Sequence, residues 1–293
     1  GILMLVMIAG KNAGGAQRWF EIGGFRFQPS ELAKILIILF FASYFMRREE
    51  KLNTPKVLFS SFLLAAIPLV LILKQPDLST TIVTALIFAS LLFVAGLSYK
   101  IVTGVLAVGI PSFIIMFTLL IQDKIPFIEA YQVTRIMAWL YPDDYPADAY
   151  QQQNSIMAIG SGQLWGKGLN NTEATSVING NFIPEPQTDF IFAVAGEELG
   201  FIGTVVIIIL LLFITIECIL IARKAKDTAG RLICCGFAAL IGFQSLINIS
   251  VASGLLPNTG LPLPFVSYGL TSLLSLYIGV GLVLNVGLQP KKY

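Results

Sequence analysis

The sequence predicts an all-α polytopic membrane protein, a helical bundle of about eight hydrophobic segments with one large loop. Three observations predict it. Of 293 residues, 56% are hydrophobic and only 12% charged, where a soluble domain carries about 25% charged residues. The apolar residues form continuous runs rather than alternating strands of about ten residues, which excludes a closed β-barrel. Basic residues gather in alternate loops, as they do when one side of a membrane retains them. Nineteen Lys and Arg against 17 Asp and Glu leave a charge of +2, which gives no reason to expect a nucleic-acid partner. Histidine is absent, which removes His-ligated metals, His-based triads and His proton relays. Cys218, Cys234 and Cys235 sit in or beside apolar runs and indicate neither a disulfide framework nor a CxxC site.

The first run, residues 2–9, is about half the roughly 20 residues that a crossing needs. No initiator Met and no basic flank precede it. It reads as a clipped transmembrane helix with upstream helices missing, or else as a short re-entrant segment. Runs long enough to cross follow at 32–46, 57–73, 80–96 and 101–121, and then at 190–222, 232–253 and 265–288. The run 190–222 is too long for one straight crossing at about 1.5 Å per residue. Gly196, Gly200 and Gly203 predict that its first third is a separate or kinked entry.

The loop from Arg47 to Lys56, the cluster Arg223, Lys224, Lys226 and Arg231, and the closing Lys291-Lys292 are assigned to the cytoplasm. The spans then alternate without conflict, and the segments 10–30, 74–79, 122–188 and 254–264 face outward. Those outward segments mix Trp, Gln, Asn, Pro, Gly and single carboxylates. In the first, Ser30 suits an N-cap and Glu31 the first helical turn. Glu31 and Lys34, three apart, share a helix face and can pair. The second packs Lys74, Gln75, Asp77, Ser79 and Thr80 between two apolar helices. It reads either as a hairpin capped by Asp77 or as part of a site. The third, about 122–188, is too long for a connector, and its aromatics, Trp139 and Trp165 among them, suit headgroup anchoring. Its glycine-rich stretch 160–168 lacks the preceding strand of a dinucleotide or Walker motif, although its amides can cradle phosphate. It ends at Glu185, Gln187, Thr188 and Asp189, where Thr188 or Asp189 would cap the next helix. Glu197 and Glu198 follow about 12 Å deeper by helical rise, where carboxylates pair or line a polar cavity. The fourth is punctuated by Pro and Gly, as backbone lining an internal cavity tends to be. Together these segments suit an anionic amphiphile with a lipid tail and a phosphate-bearing head.

Gly15-Ala16-Gln17-Arg18-Trp19, Gln28-Pro29-Ser30-Glu31-Leu32-Ala33-Lys34, Gln75-Pro76-Asp77-Leu78-Ser79-Thr80, Thr188-Asp189-Phe190-Ile191-Phe192-Ala193-Val194, Glu197-Glu198-Leu199-Gly200 and Ser267-Tyr268-Gly269 stand in one order along the chain. As a set they resemble the SEDS family (shape, elongation, division and sporulation), which includes RodA, FtsW and SpoVE. Pro262-Leu263-Pro264 looks closer to the elongation members. Leu270 departs from a glycine usual in the family.

The resemblance implies ten helices in the intact fold, the first two being absent here, in a single transmembrane domain over 1–293. It implies a peptidoglycan glycosyltransferase that polymerises lipid II, with Asp189 as the essential acidic residue. A base must take the proton of the attacking hydroxyl, and positive charge must offset the departing pyrophosphate. Asp189 is the candidate base. Arg18, Glu31, Lys34, Lys74, Gln75, Asp77, Glu185, Gln187 and Ser267 are the candidate substrate-binding residues. A divalent cation, Mg or Mn, would be shared between Asp189 and substrate phosphate, and no organic cofactor is implied. Implied partners are a class B penicillin-binding protein and other elongation or division proteins, at the bacterial inner membrane with the site facing outward. The competing reading is a transporter or flippase for the same lipid-linked precursor. That reading needs polar groups near the midplane, whereas here they crowd the outer ends.

Overall fold

The computed structural model describes residues 3, 4, 6, 10–13, 16–22, 25–121, 130–169, 176, 180, 182–184 and 186–289, with backbone alone at 11–13, 16–18, 21–22, 25–26 and 130. Three short strands lead: β1 (Lys11–Ala13), β2 (Ala16–Ile22) and β3 (Phe25–Phe27). Helices follow: α1 (Pro29–Met46), α2 (Pro55–Leu73), α3 (Leu78–Val94), α4 (Tyr99–Ile121), α5 (Ala130–Leu140), α6 (Pro146–Ser161), α7 (Ile191–Lys224), α8 (Thr228–Ala252) and α9 (Leu270–Leu288). The chain is an all-α polytopic membrane protein. Among the described residues α1, α2, α4, α7, α8 and α9 are long and apolar enough to cross a membrane, and α3 is a shorter apolar helix of 17 residues. These are the seven runs predicted after the first, with ends shifted by a few residues. The first run lies mostly outside the described residues.

Two predicted loops hold regular structure. The segment before α1 forms an antiparallel meander in the order β1-β2-β3. Gly-Gly pairs at 14–15 and 23–24 separate the strands in sequence, and such dipeptides favour tight hairpins. The long segment after α4 contains α5 and α6, so much of its length is helix rather than connector.

Proline sets several helix starts. Pro29, Pro55 and Pro146 occupy the first turns of α1, α2 and α6, where a missing N–H costs nothing. Ser30 therefore does not cap α1. It is buried within the first turn, and Gln28 holds the cap position without a side-chain bond. Asp77 does cap α3, its Oδ1 accepting from Thr80 N–H at 3.1 Å.

Contacts divide the chain into two compact units. One comprises Gly1–Gly96, Val206–Leu246 and Gly260–Tyr293, the other Leu97–Val205 and Ile247–Thr259. The first holds an aromatic core in which Phe41 of α1 meets Phe45 of the same helix and Phe88 of α3 at ring-centroid distances of 5.4 and 4.8 Å. Gly236 of α8 lets that helix approach Ile38 and Leu91, and Gly279 of α9 leaves space that the Phe237 ring fills. In the second unit nearly all of α4 is exposed, as suits a helix surrounded by lipid.

Candidate active site

Asp189 lies in the second unit, half-buried, in the turn before α7. The helix begins at Ile191, and the Phe190 carbonyl accepts from Ala193 and Val194 N–H at 2.9 and 3.4 Å. Asp189 thus precedes the first helical turn instead of occupying it. Its own carbonyl accepts from Asn248 Nδ2 at 2.7 Å, and Asn248 is buried.

Helix α7 breaks where its glycines predicted. Gly200 has φ 67° and ψ −164°, which separates 191–199 from 201–224; a positive φ is cheap only for glycine. Breaking a helix leaves orphan carbonyls on one side and orphan N–H groups on the other. The glycine-rich 160–168 stretch satisfies both. Lys167 and Gly168 N–H donate to the Glu197 and Glu198 carbonyls at 2.8 and 3.1 Å, and Phe201 and Ile202 N–H donate to the Gln163 and Leu164 carbonyls at 2.8 and 3.2 Å. No Cβ fits at Gly162, Gly166 or Gly200, because each faces backbone of the opposite segment. This corrects the expectation that these amides cradle phosphate: those of Gly166, Lys167 and Gly168 are taken up by the protein's own carbonyls. Lys167 Nζ also donates to the buried Glu197 carboxylate at 2.9 Å.

The end of α8 in the same unit is closed by residues that spacing did not single out. Gln152 Nε2 donates to the Val251 and Leu256 carbonyls at 2.8 and 2.7 Å, and Ser155 Oγ to the Ala252 carbonyl at 2.7 Å. Trp139, expected as a headgroup anchor, directs its indole N–H to the Gly254 carbonyl at 2.8 Å. The sequence carries no signal for them: residues 151–155 are all polar, and only the fold separates the buried Gln152, Asn154 and Ser155 from their neighbours.

The first unit holds the other candidates. Lys34 Nζ pairs with Glu31 Oε1 at 2.8 Å and also donates to Gln244 Oε1 at 2.7 Å. Gln244 Nε2 in turn donates to the Pro262 carbonyl at 2.9 Å. The network ties α1, α8 and the loop before α9 together. Lys34 and Glu31 are only 1% and 3% exposed. Two of the three ammonium donors of Lys34 are thereby engaged inside the protein. Asp77 accepts from Gln28 Nε2 at 3.4 Å, and Gln75 donates to the Leu3 carbonyl at 3.0 Å. Ser267 Oγ accepts from Leu263 N–H at 2.7 Å, which closes the loop before α9. Lys74 in this unit and Gln187 in the other are exposed. The Arg18 side chain and all of Glu185 lie outside the described residues. Among the described residues no three His, Cys, Asp or Glu are grouped to hold a metal ion.

The family model for the cell cycle proteins FtsW, RodA and SpoVE matches residues 1–292. The chain belongs to the FtsW/RodA/SpoVE family. This member is 38% identical over 293 residues to the peptidoglycan glycosyltransferase MrdB of Escherichia coli K12, covering 99% of the chain and 76% of that protein. It is 36% identical over 294 residues to a probable peptidoglycan glycosyltransferase FtsW of Geobacter sp. M18, covering 99% and 77%. Among solved structures, a chain of a peptidoglycan synthase complex matches with TM-score 0.77 and 30% identity, over 98% of this chain and 77% of that one. RodA of Thermus thermophilus matches with TM-score 0.64 and 28% identity, over 100% and 76%. Membership accounts for the seven apolar helices as a multi-pass membrane fold.

Proposed function

We propose that this chain is a peptidoglycan glycosyltransferase that polymerises lipid II into glycan strands at the outer face of the cytoplasmic membrane, in cell elongation or division. The placement of Asp189 supports it most: a half-buried carboxylate at the mouth of an apolar helix, with its backbone carbonyl held by Asn248. In the reaction a sugar hydroxyl oxygen bonds to the anomeric carbon of a lipid-linked strand, and the bond from that carbon to the pyrophosphate oxygen breaks. Polyprenyl pyrophosphate leaves with the electron pair. Asp189 takes the hydroxyl proton as general base. Arg18 and Lys74 are cations suited to offset charge developing on the pyrophosphate; Lys34, engaged by Glu31 and Gln244, organises its own surroundings first. Glu31, Gln75, Asp77, Glu185, Gln187 and Ser267 complete the proposed substrate-binding set.

A divalent cation would need phosphate oxygens beside Asp189 to complete its shell, since hard cations take six or more oxygen ligands. The likeness to a chain of a peptidoglycan synthase complex supports a penicillin-binding protein as partner.

The test is lipid II polymerisation by purified protein with that partner present. Asp189→Asn keeps the shape of the side chain and removes the base, so the rate should fall by about 10²–10⁴ while lipid II still binds. Polymerisation near the wild-type rate would leave Asp189 a structural residue. Orientation is checked separately, with the native cysteines replaced. Cysteine at the exposed Ser161 position should react with an impermeant thiol reagent outside intact cells, and cysteine at the exposed Lys226 position should not. Reversed labelling would overturn the outward-facing site.

A further inference from the structure

The 191–199 segment is a short helix held at both ends, with Asp189 at its leading end. Because the helix breaks at Gly200, the long 201–224 segment does not dictate its direction through continuous i→i+4 bonds. Direction falls to what grips it. At the leading end Asn248 Nδ2 holds the Asp189 carbonyl at 2.7 Å. At the trailing end Lys167 grips Glu197 twice, N–H to carbonyl at 2.8 Å and Nζ to Oε1 at 2.9 Å. The Glu197 side chain is 2% exposed, while Lys167 keeps 22%. Burying such a pair gains little over an apolar pair of the same shape, because desolvation offsets most of the attraction. What the pair adds is one allowed geometry.

We infer that Lys167 and Glu197 are positioning residues for the Asp189 carboxylate, locking the 191–199 helix against the 160–168 loop. The inference rests on the reading of Asp189 as the base. Asp189 and Gly200 are about 16 Å apart by helical rise, so a pivot of about 4° at Gly200 moves the carboxylate by about 1 Å. A displacement of that size costs about 10²-fold in rate. The backbone clasp fixes where the trailing end sits, and the ion pair resists the pivot.

The experiment is a kinetic cycle on lipid II polymerisation with Lys167→Met, Glu197→Gln and the double variant, beside Asp189→Asn. Each single variant should lower kcat by about 10- to 100-fold, with KM for lipid II changed less than about two-fold. The double should be no slower than the slower single, as for two residues acting as one unit. Wild-type kcat in the folded double variant, or a loss confined to KM, would overturn the inference. If Lys167→Met fails to fold because it strands a buried carboxylate, Glu197→Gln carries the test, since it keeps an acceptor for Lys167 and buries no charge. An active Asp189→Asn protein would instead overturn the reading of the base and leave the kcat loss of the other variants to another group.

Discussion

The Glu31–Lys34 and Glu197–Lys167 pairs have the same chemistry at nearly the same separation, 2.8 and 2.9 Å, but their origins differ. The first is local: two residues three apart on one helix face, buried together and extended to Gln244 and Pro262. The second joins residues thirty apart and exists because a broken helix needs a loop to hold it. A local pair stabilises a bundle that is already formed, whereas a non-local pair decides how two segments meet. The difference predicts that breaking the first pair costs stability as well as any substrate contact, whereas breaking the second costs chiefly turnover.

The largest expected effect tests the first half of that comparison. Lys34→Ala strands the Glu31 carboxylate in the core, and removing one partner of a buried pair costs about 3–5 kcal/mol. Equilibrium unfolding in mixed micelles measures it. Exchanging Glu31 and Lys34 should recover little, because Gln244 Oε1 would then face a carboxylate. A Lys34→Ala protein within about 1 kcal/mol of wild type would show that the pair is expendable to the fold. Next, Gly200→Ala forces a side chain into a left-handed backbone position that also faces Leu164 and Gly166. Such strain costs about 1–3 kcal/mol, and the same substitution should lower the polymerisation rate by re-aiming 191–199. Unchanged stability and rate would mean that the break does not need glycine.

Gln244→Leu sharpens the comparison from within the first network. It leaves the Pro262 carbonyl and one Lys34 donor unpaired, at about 1–3 kcal/mol, in the same unfolding measurement. If Gln244→Leu were as costly as Lys34→Ala, the amide rather than the ion pair would hold the network. The smallest effect belongs to a third pair, Arg231–Glu49, at 4.0 Å with side chains 43% and 52% exposed. Exposed pairs contribute about 0–1 kcal/mol, so Arg231→Ala should barely change stability, and less still at high salt. A loss above about 2 kcal/mol would show that partners other than Glu49 make this contact structural.

Much of this protein was legible in its sequence because membrane helices are dictated locally. A continuous apolar run satisfies its own backbone in lipid, so the seven described apolar helices fall at the predicted runs. The kink at Gly200 needs only glycine's freedom at positive φ, and Glu31 with Lys34 needs only helical spacing. Asp77 caps α3 by the same local logic. The meander before α1 is not legible despite its Gly-Gly pairs, since short strands lacking a long alternating pattern read as loop.

What only the tertiary structure decided is where distant polar groups end. By composition the glycine-rich stretch suits phosphate, but the fold commits its Lys167 and Gly168 amides to the carbonyls of α7. Trp139, expected as a headgroup anchor, and Gln152 and Ser155, which spacing does not single out, all meet the end of α8. Nothing in the spacing of Lys167 and Glu197, or of Asn248 and Asp189, announces a contact. The reason is physical: a hydrogen bond within a helix is fixed by its period, whereas the partner of an orphan group at a broken or terminated helix is whichever segment the packing brings within about 3 Å.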